Sequence, residues 1–245
     1  VKRSAGWAAI ALALAAALAA APARAADPGY YVVTVYDDPG VRNLDLRYWS
    51  VKPKDGHAVL WPEIGLGLNT GRWYTFVLAS WITGRDTPTE LSTLSWQNDY
   101  LLTQGQWPID VAVHTLLAVP RDGAGPKTIE IGPALQTDVG RTQLNANVFL
   151  ERSFGSQSEH PARLKYQWQV RHRWRPWLHV GAQGFGESGR WSDWEPDTPS
   201  HRAGPALFGT LPFTDRKLTW QAAWLHGKTY GQRGSMFTAY LRTAF

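Results

Sequence analysis

The chain has 245 residues, no cysteine, 14 tryptophans, and 25 Lys+Arg against 20 Asp+Glu. Without thiols it can build no disulfide scaffold, no Cys-ligated zinc site and no thiolate nucleophile; at 44% hydrophobic and 13% aromatic it is not a disordered chain. A mean hydropathy of -0.32 excludes a polytopic bundle of membrane helices, but not a β-barrel, whose strands spend half their positions on polar residues.

Residues 1–25 read as a cleavable secretory signal. Lys2 and Arg3 form the charged start, an Ala/Leu run follows over 6–21, and Ala23-Arg24-Ala25 supplies the small-x-small cleavage pattern before Ala26. Removing Lys2, Arg3 and Arg24 leaves 22 basic against 20 acidic residues, a net charge of +2. That surplus is too small for a nucleic-acid footprint, so no nucleic-acid partner is expected. Residues 26–41, with the run Tyr30-Tyr31-Val32-Val33, leave three readings open: a periplasmic tail, a lumenal plug or an extra strand.

From residue 42 onward the hydrophobic period is two, not 3.6. Arg163, Lys165, Gln167, Gln169, Arg171 and Arg173 share one face, and Leu164, Tyr166, Trp168, Val170 and Trp174 the other. On a helix those charges would scatter around the axis; on a strand they form one row. The same alternation sets Asn43, Asp45 and Arg47 against Leu44, Leu46 and Tyr48, and Gln143, Asn145, Asn147 and Glu151 against Leu144, Ala146, Val148 and Leu150. Strands are predicted at 42–52, 58–69, 72–83, 89–103, 109–119, 127–137, 141–153, 162–173, 176–187, 201–212, 217–227 and 234–245. The connections are expected to alternate: short at 69–72, 104–108, 138–141, 173–176 and 212–217, and longer at 53–57, 84–88, 120–127, 153–161, 187–201 and 227–234.

A chain with about twelve such strands, charged rows on one face and apolar rows on the other, predicts an all-β, up-and-down antiparallel transmembrane barrel over 42–245. The apolar rows would face lipid, and aromatic rings near strand ends (Tyr48, Trp49, Trp73, Tyr74, Trp107, Trp174, Trp224) suit the bilayer interface. Closure removes the open sheet edge that hydrocarbon does not tolerate.

The last segment carries the most specific pattern. Phe237, Ala239, Leu241, Thr243 and Phe245 alternate with Met236, Thr238, Tyr240, Arg242 and Ala244, and the sequence ends on the phenylalanine. This resembles the C-terminal signal of bacterial outer-membrane β-barrel proteins; the resemblance implies export to the outer membrane and recognition of Phe237, Leu241 and Phe245 by the barrel assembly machinery. The spacing of the Gly-Pro-rich strands is also similar to the outer-membrane transporter family associated with phenol-degradation (MetA) pathways, a likeness without a diagnostic motif. The partners implied are outer-membrane lipids and lipopolysaccharide, the assembly machinery, and an unnamed small solute.

The expected function is a porin-like channel that passes small solutes through a polar lumen. The lumen-lining residues are expected to include Arg47, Glu63, Glu130, Arg141, Asn145, Glu151, Arg163, Lys165, Gln167, Gln169, Arg171 and Arg242. A basic ladder such as Arg163, Lys165 and Arg171 could draw anions into a pore, or could belong to a cross-barrel network of Arg–carboxylate pairs with Asp45, Glu63, Asp99, Asp110, Glu130 and Glu151. Gly65, Gly67, Gly132, Gly181 and Gly204 would leave room inside, whereas Trp49, Trp61, Phe149, Trp177 and Phe208 would fill it. The loop residues Trp191, Asp193, Trp194, Glu195 and Asp197 could fold inward as a constriction. Two further readings stay open: a plugged structural barrel, and a lipid-modifying enzyme acting on lipid A or phospholipid. For the enzyme, Ser95, Asn98 and His114 are the nearest approach to a nucleophile–base set, yet parity places Ser95 and Asn98 on opposite faces. No cofactor and no metal site is expected, for no Walker, Rossmann or EF-hand pattern occurs.

Overall fold

A computed structural model describes residues 30–36, 42–121, 125–155, 162–190, 200–213, 216–229 and 231–245. Twelve strands run in chain order: β1 (Arg42–Pro53), β2 (Val59–Asn69), β3 (Trp73–Gly84), β4 (Thr87–Leu101), β5 (Asp110–Pro120), β6 (Lys127–Val139), β7 (Thr142–Phe154), β8 (Arg163–Arg175), β9 (Leu178–Arg190), β10 (Ser200–Phe213), β11 (Arg216–Thr229) and β12 (Gln232–Ala244). Each pairs antiparallel with its neighbours in sequence, and β1 closes the sheet on β12 from Asn43↔Ala244 to Pro53↔Gly234. With 11 to 15 residues, the strands are long enough to cross a hydrocarbon layer when tilted.

Parity decides what each face meets. In β1, Asn43, Asp45, Arg47 and Trp49 are buried in the barrel while Leu46 is exposed outside. Register carries that assignment around the wall: Asp45 lies opposite Gly65 on one side and Arg242 on the other. Outside, Leu46, Leu66, Val77, Trp96, Ile131, Val148, Val170, Leu207, Trp224 and Leu241 are all exposed. These side chains form a belt spread over ten strands. In water such a belt would drive association; against hydrocarbon it is solvated.

The predicted strands are all present, but the alternation of connection length is weaker than expected. Residues 85–86 and 230–231 are two-residue connections, and the supposedly short β4–β5 link spans 102–109. Gly84, Pro88, Gly227 and Gly234 read as turn residues, yet all four lie within strands. Pro88 is accommodated because the β3–β4 register shifts between Ile82 and Gly84, leaving it out of the pairing ladder. In the true turns, Gly71 (φ 96°) and Gly140 (φ 60°) take the left-handed backbone that favours glycine.

The barrel has two distinguishable ends. At the terminus end lie the start of β1 and the end of β12, together with the β2–β3, β4–β5, β6–β7, β8–β9 and β10–β11 connections. The other six connections lie at the far end. Residues 1–25, read as a signal, are outside the described residues, as are Trp191, Asp193, Trp194, Glu195 and Asp197.

Candidate functional site: the barrel lumen

Residues 30–36 run inside the barrel and add no strand to the wall. Their backbone is held by wall side chains: the Val33 N–H donates to Gln167 Oε1 at 3.1 Å, and the Val33 carbonyl accepts from Asn147 Nδ2 at 2.9 Å. The Val35 N–H reaches Gln136 Oε1 at 3.4 Å. The Tyr31 phenol donates to Gln97 Oε1, and the Arg47 guanidinium lies 3.4 Å above its ring. Tyr30, deeper toward the far end, donates to Glu187 Oε1 at 3.3 Å with Arg202 stacked over it at 4.1 Å. A backbone strand in a polar tube needs partners for its N–H and C=O groups, and the amide rows of the wall provide them.

Around this segment the charges pair along and across strands. Lys165 Nζ lies 2.5 Å from Glu130 and 3.1 Å from Glu151. His114 bridges Asp99 at 2.5 Å and Glu130 at 3.4 Å, extending the chain to β4. Asp45 takes Arg47 at 2.9 Å and Arg242 at 2.8 Å, and Arg242 also donates to the Tyr74 hydroxyl at 2.9 Å. Arg202 grips Glu187 through both terminal nitrogens, at 2.8 and 3.2 Å. In surroundings cut off from water such pairs must be nearly complete, because a lone buried charge is costly.

The far half of the lumen is filled. Trp49 and Trp61 stack at 3.8 Å with 6° between planes, and Tyr30 meets Trp49 edge-on at 4.9 Å and Phe185 at 5.7 Å. Leu225 and Met236 complete this cluster. The terminus half holds an open cavity of about 420 Å³ whose lining includes Tyr31, Val33, Asn69, Tyr74, Asp99, Arg171, Tyr240 and Arg242.

Of the residues expected to line the lumen, Arg47, Glu63, Glu130, Asn145, Lys165, Gln167 and Gln169 are buried inside the wall. Glu151 and Arg163 stand opposite each other near the far rim, and Arg171 and Arg242 line the cavity. Arg141 stands outside the lumen: it occupies the two-residue β6–β7 connection, exposed, and donates to the Trp174 carbonyl at 2.9 Å. Trp177 is likewise exposed in the β8–β9 turn, where a register shift between His172 and Arg175 breaks the parity count. Phe237, Leu241 and Phe245 face outward. Ser95 and His114 face inward on neighbouring strands, while Asn98 faces out and accepts from Trp73 Nε1 at 3.1 Å, so the three do not converge.

Two features of the lumen escaped the reading by alternation. The predicted strands stop at Glu187 and restart at His201, but β9 runs on to Arg190 and β10 begins at Ser200, so Glu187 and Ser200 both join the Arg202 cluster. Continuing the parity of Gln183 and Phe185 by one step would have placed Glu187 inside. Tyr30 and Tyr31 belong to the segment left open among a tail, a plug and an extra strand, and alternation gives no means of choosing among the three.

No family model and no curated protein matches the sequence. The fold is similar to that of solved barrels. A structure of the NanC porin superposes with a TM-score of 0.56 at 11% identity, over 82% of this chain and 98% of that one. An outer-membrane channel from Pseudomonas putida F1 superposes with a TM-score of 0.56 at 14% identity, over 89% of this chain and 98% of that one. At such identities the likeness establishes the closed barrel fold.

Proposed function

We propose that this chain is an outer-membrane channel for small solutes, held shut at rest by residues 30–36. The observation that carries the reading is the pairing of an apolar outer belt over ten of the twelve strands with a polar, partly hollow lumen. Lipid satisfies the first and water the second, and only a closed barrel can present both without an unpaired edge. The two similar structures are described as a porin and an outer-membrane channel, which supports the same reading. On this reading Phe237 and Leu241 on β12, with Phe245 just beyond it, present an outward face to the assembly machinery and then to lipid, with lipopolysaccharide around the far rim. The finer likeness to phenol-degradation transporters belongs to the same proposal and rests on strand spacing alone.

Conduction requires the segment to move, because Tyr30 packs into the Trp49–Trp61 cluster that fills the far half. Purified protein in planar lipid bilayers tests this. The whole chain is expected to give rare, small current steps, and a variant lacking residues 30–36 to give larger and longer ones. If neither conducts, the same aromatic cluster favours a structural barrel with no transport role.

A further inference from the structure

Among the described residues the cavity in the terminus half has an uneven charge: Arg47, Arg171, Lys217 and Arg242 line it, against one carboxylate, Asp99. That carboxylate is already engaged, by His114 at 2.5 Å and by Gln97 Nε2 at 2.5 Å. Arg47 and Arg242 both pair with Asp45. Arg171 meets no carboxylate among the described residues; its Nε donates to His179 Nδ1 at 2.7 Å and its guanidinium lies 5.3 Å from the Phe208 ring.

Arg47 adds a second, independent observation. It is 5% exposed, yet its Nε and Nη1 have no hydrogen-bond partner among the described residues. The guanidinium is sandwiched between the rings of Tyr31 at 3.4 Å and Phe76 at 4.2 Å. Buried N–H groups of a cation left without acceptors are costly, and a bound anion would relieve that cost. The remaining walls are flat: Arg242 lies 5.5 Å from the Tyr74 ring and 5.3 Å from the Tyr240 ring. Guanidinium groups match the two oxygens of a carboxylate, and the rings beside them suit a flat apolar body.

We infer that this vestibule is a binding site for a small organic anion, a carboxylate attached to a flat apolar group, held by Arg171, Arg242 and Arg47 against Tyr74, Tyr240 and Phe208. The inference rests on the channel reading for its biological sense, since it names the class of solute that would queue beneath the segment formed by residues 30–36. The recognition itself is a property of the folded barrel and needs no current.

Titration calorimetry on the whole chain in detergent at low salt, with benzoate as probe, tests it. Benzoate is expected to bind, with acetate weaker and benzyl alcohol and benzylamine giving no heat. Arg171→Gln removes a charge that holds no ion pair among the described residues, and should weaken benzoate about tenfold, the usual effect of losing one charge-assisted hydrogen bond. Benzyl alcohol binding as well as benzoate, or unchanged benzoate affinity in a folded R171Q/K217Q double variant, would overturn the site. Should those variants fail to fold, the unaltered protein still decides: anion selectivity in a salt gradient supports the site, and cation selectivity overturns it. Benzoate binding without conductance would defeat the channel reading and leave the site standing. Conductance without benzoate binding would do the reverse.

Discussion

Asn147 Nδ2 donates to the Val33 carbonyl at 2.9 Å, joining the middle of the lumenal segment to the wall across 114 positions of sequence. Gln167 accepts from the Val33 N–H on the next strand, and Asn147 also donates to Gln167 at 3.1 Å. One residue of the segment is therefore clamped on both its backbone groups by a pair of amides that orient each other.

If that clamp holds the channel shut, an N147A/Q167A variant should open more often. Each side-chain-to-backbone hydrogen bond contributes about 1 kcal/mol, so losing both should raise the open probability by roughly tenfold or more. Single-channel recording reads this directly, and hydrogen exchange at the Val33 amide should accelerate in parallel. An unchanged open probability with a faster exchange rate would mean that the clamp orders the segment without gating it.

Lys165 sits between Glu130 at 2.5 Å and Glu151 at 3.1 Å. K165M leaves two carboxylates facing each other inside the wall, and breaking such a buried group from one side costs about 3–5 kcal/mol. The urea midpoint of the barrel in lipid vesicles should fall accordingly. Adding Glu130→Gln to K165M should recover part of the loss, since it removes the like-charge contact.

Gly65 on β2 and Phe76 on the adjacent β3 are diagonal neighbours on the inner face. A Cβ built on Gly65 would clash with Cζ of Phe76, so the ring covers the glycine directly. G65A should displace the ring, which also carries the Arg47 guanidinium at 4.2 Å, and cost about 1–3 kcal/mol as an overpacked core does. F76L in the same chain should restore much of it, and a double-mutant cycle by urea unfolding measures the coupling. Strict additivity of the two changes would refute the direct contact.

Glu63 accepts from Trp49 Nε1 at 3.1 Å and Ser80 Oγ at 3.0 Å through one oxygen, while its other oxygen has no partner among the described residues. E63Q keeps an acceptor for both donors and should fold with a stability close to that of the parent. E63A strands the indole N–H beneath the Trp49–Trp61 stack and should be about 2 kcal/mol less stable than E63Q. Equal stabilities would show that water replaces the carboxylate, and hence that the far half is wetter than its packing implies.

Twelve strands and the face each residue occupies were legible along the chain, because side-chain direction in a strand alternates with period two regardless of what the strand pairs with. That local rule placed Arg47, Lys165 and Gln167 inside and Leu46, Val170 and Leu241 outside. It fails where the period itself breaks, at Arg141 in its two-residue connection and at Trp177 beyond a register shift, and where glycine and proline inside β3–β4 and β11–β12 imitate turns; two rings expected at the bilayer interface, Trp49 and Tyr74, are instead buried in the lumen. What tertiary structure alone decided is which inward groups meet. Asp45 and Arg242 pair across 197 positions because closing the barrel brings the first strand to the last. Whether the lumen is open was likewise undecidable from alternation, since residues 30–36 enter it through backbone hydrogen bonds to Asn147, Gln167 and Gln136, contacts that leave no periodic mark on either partner.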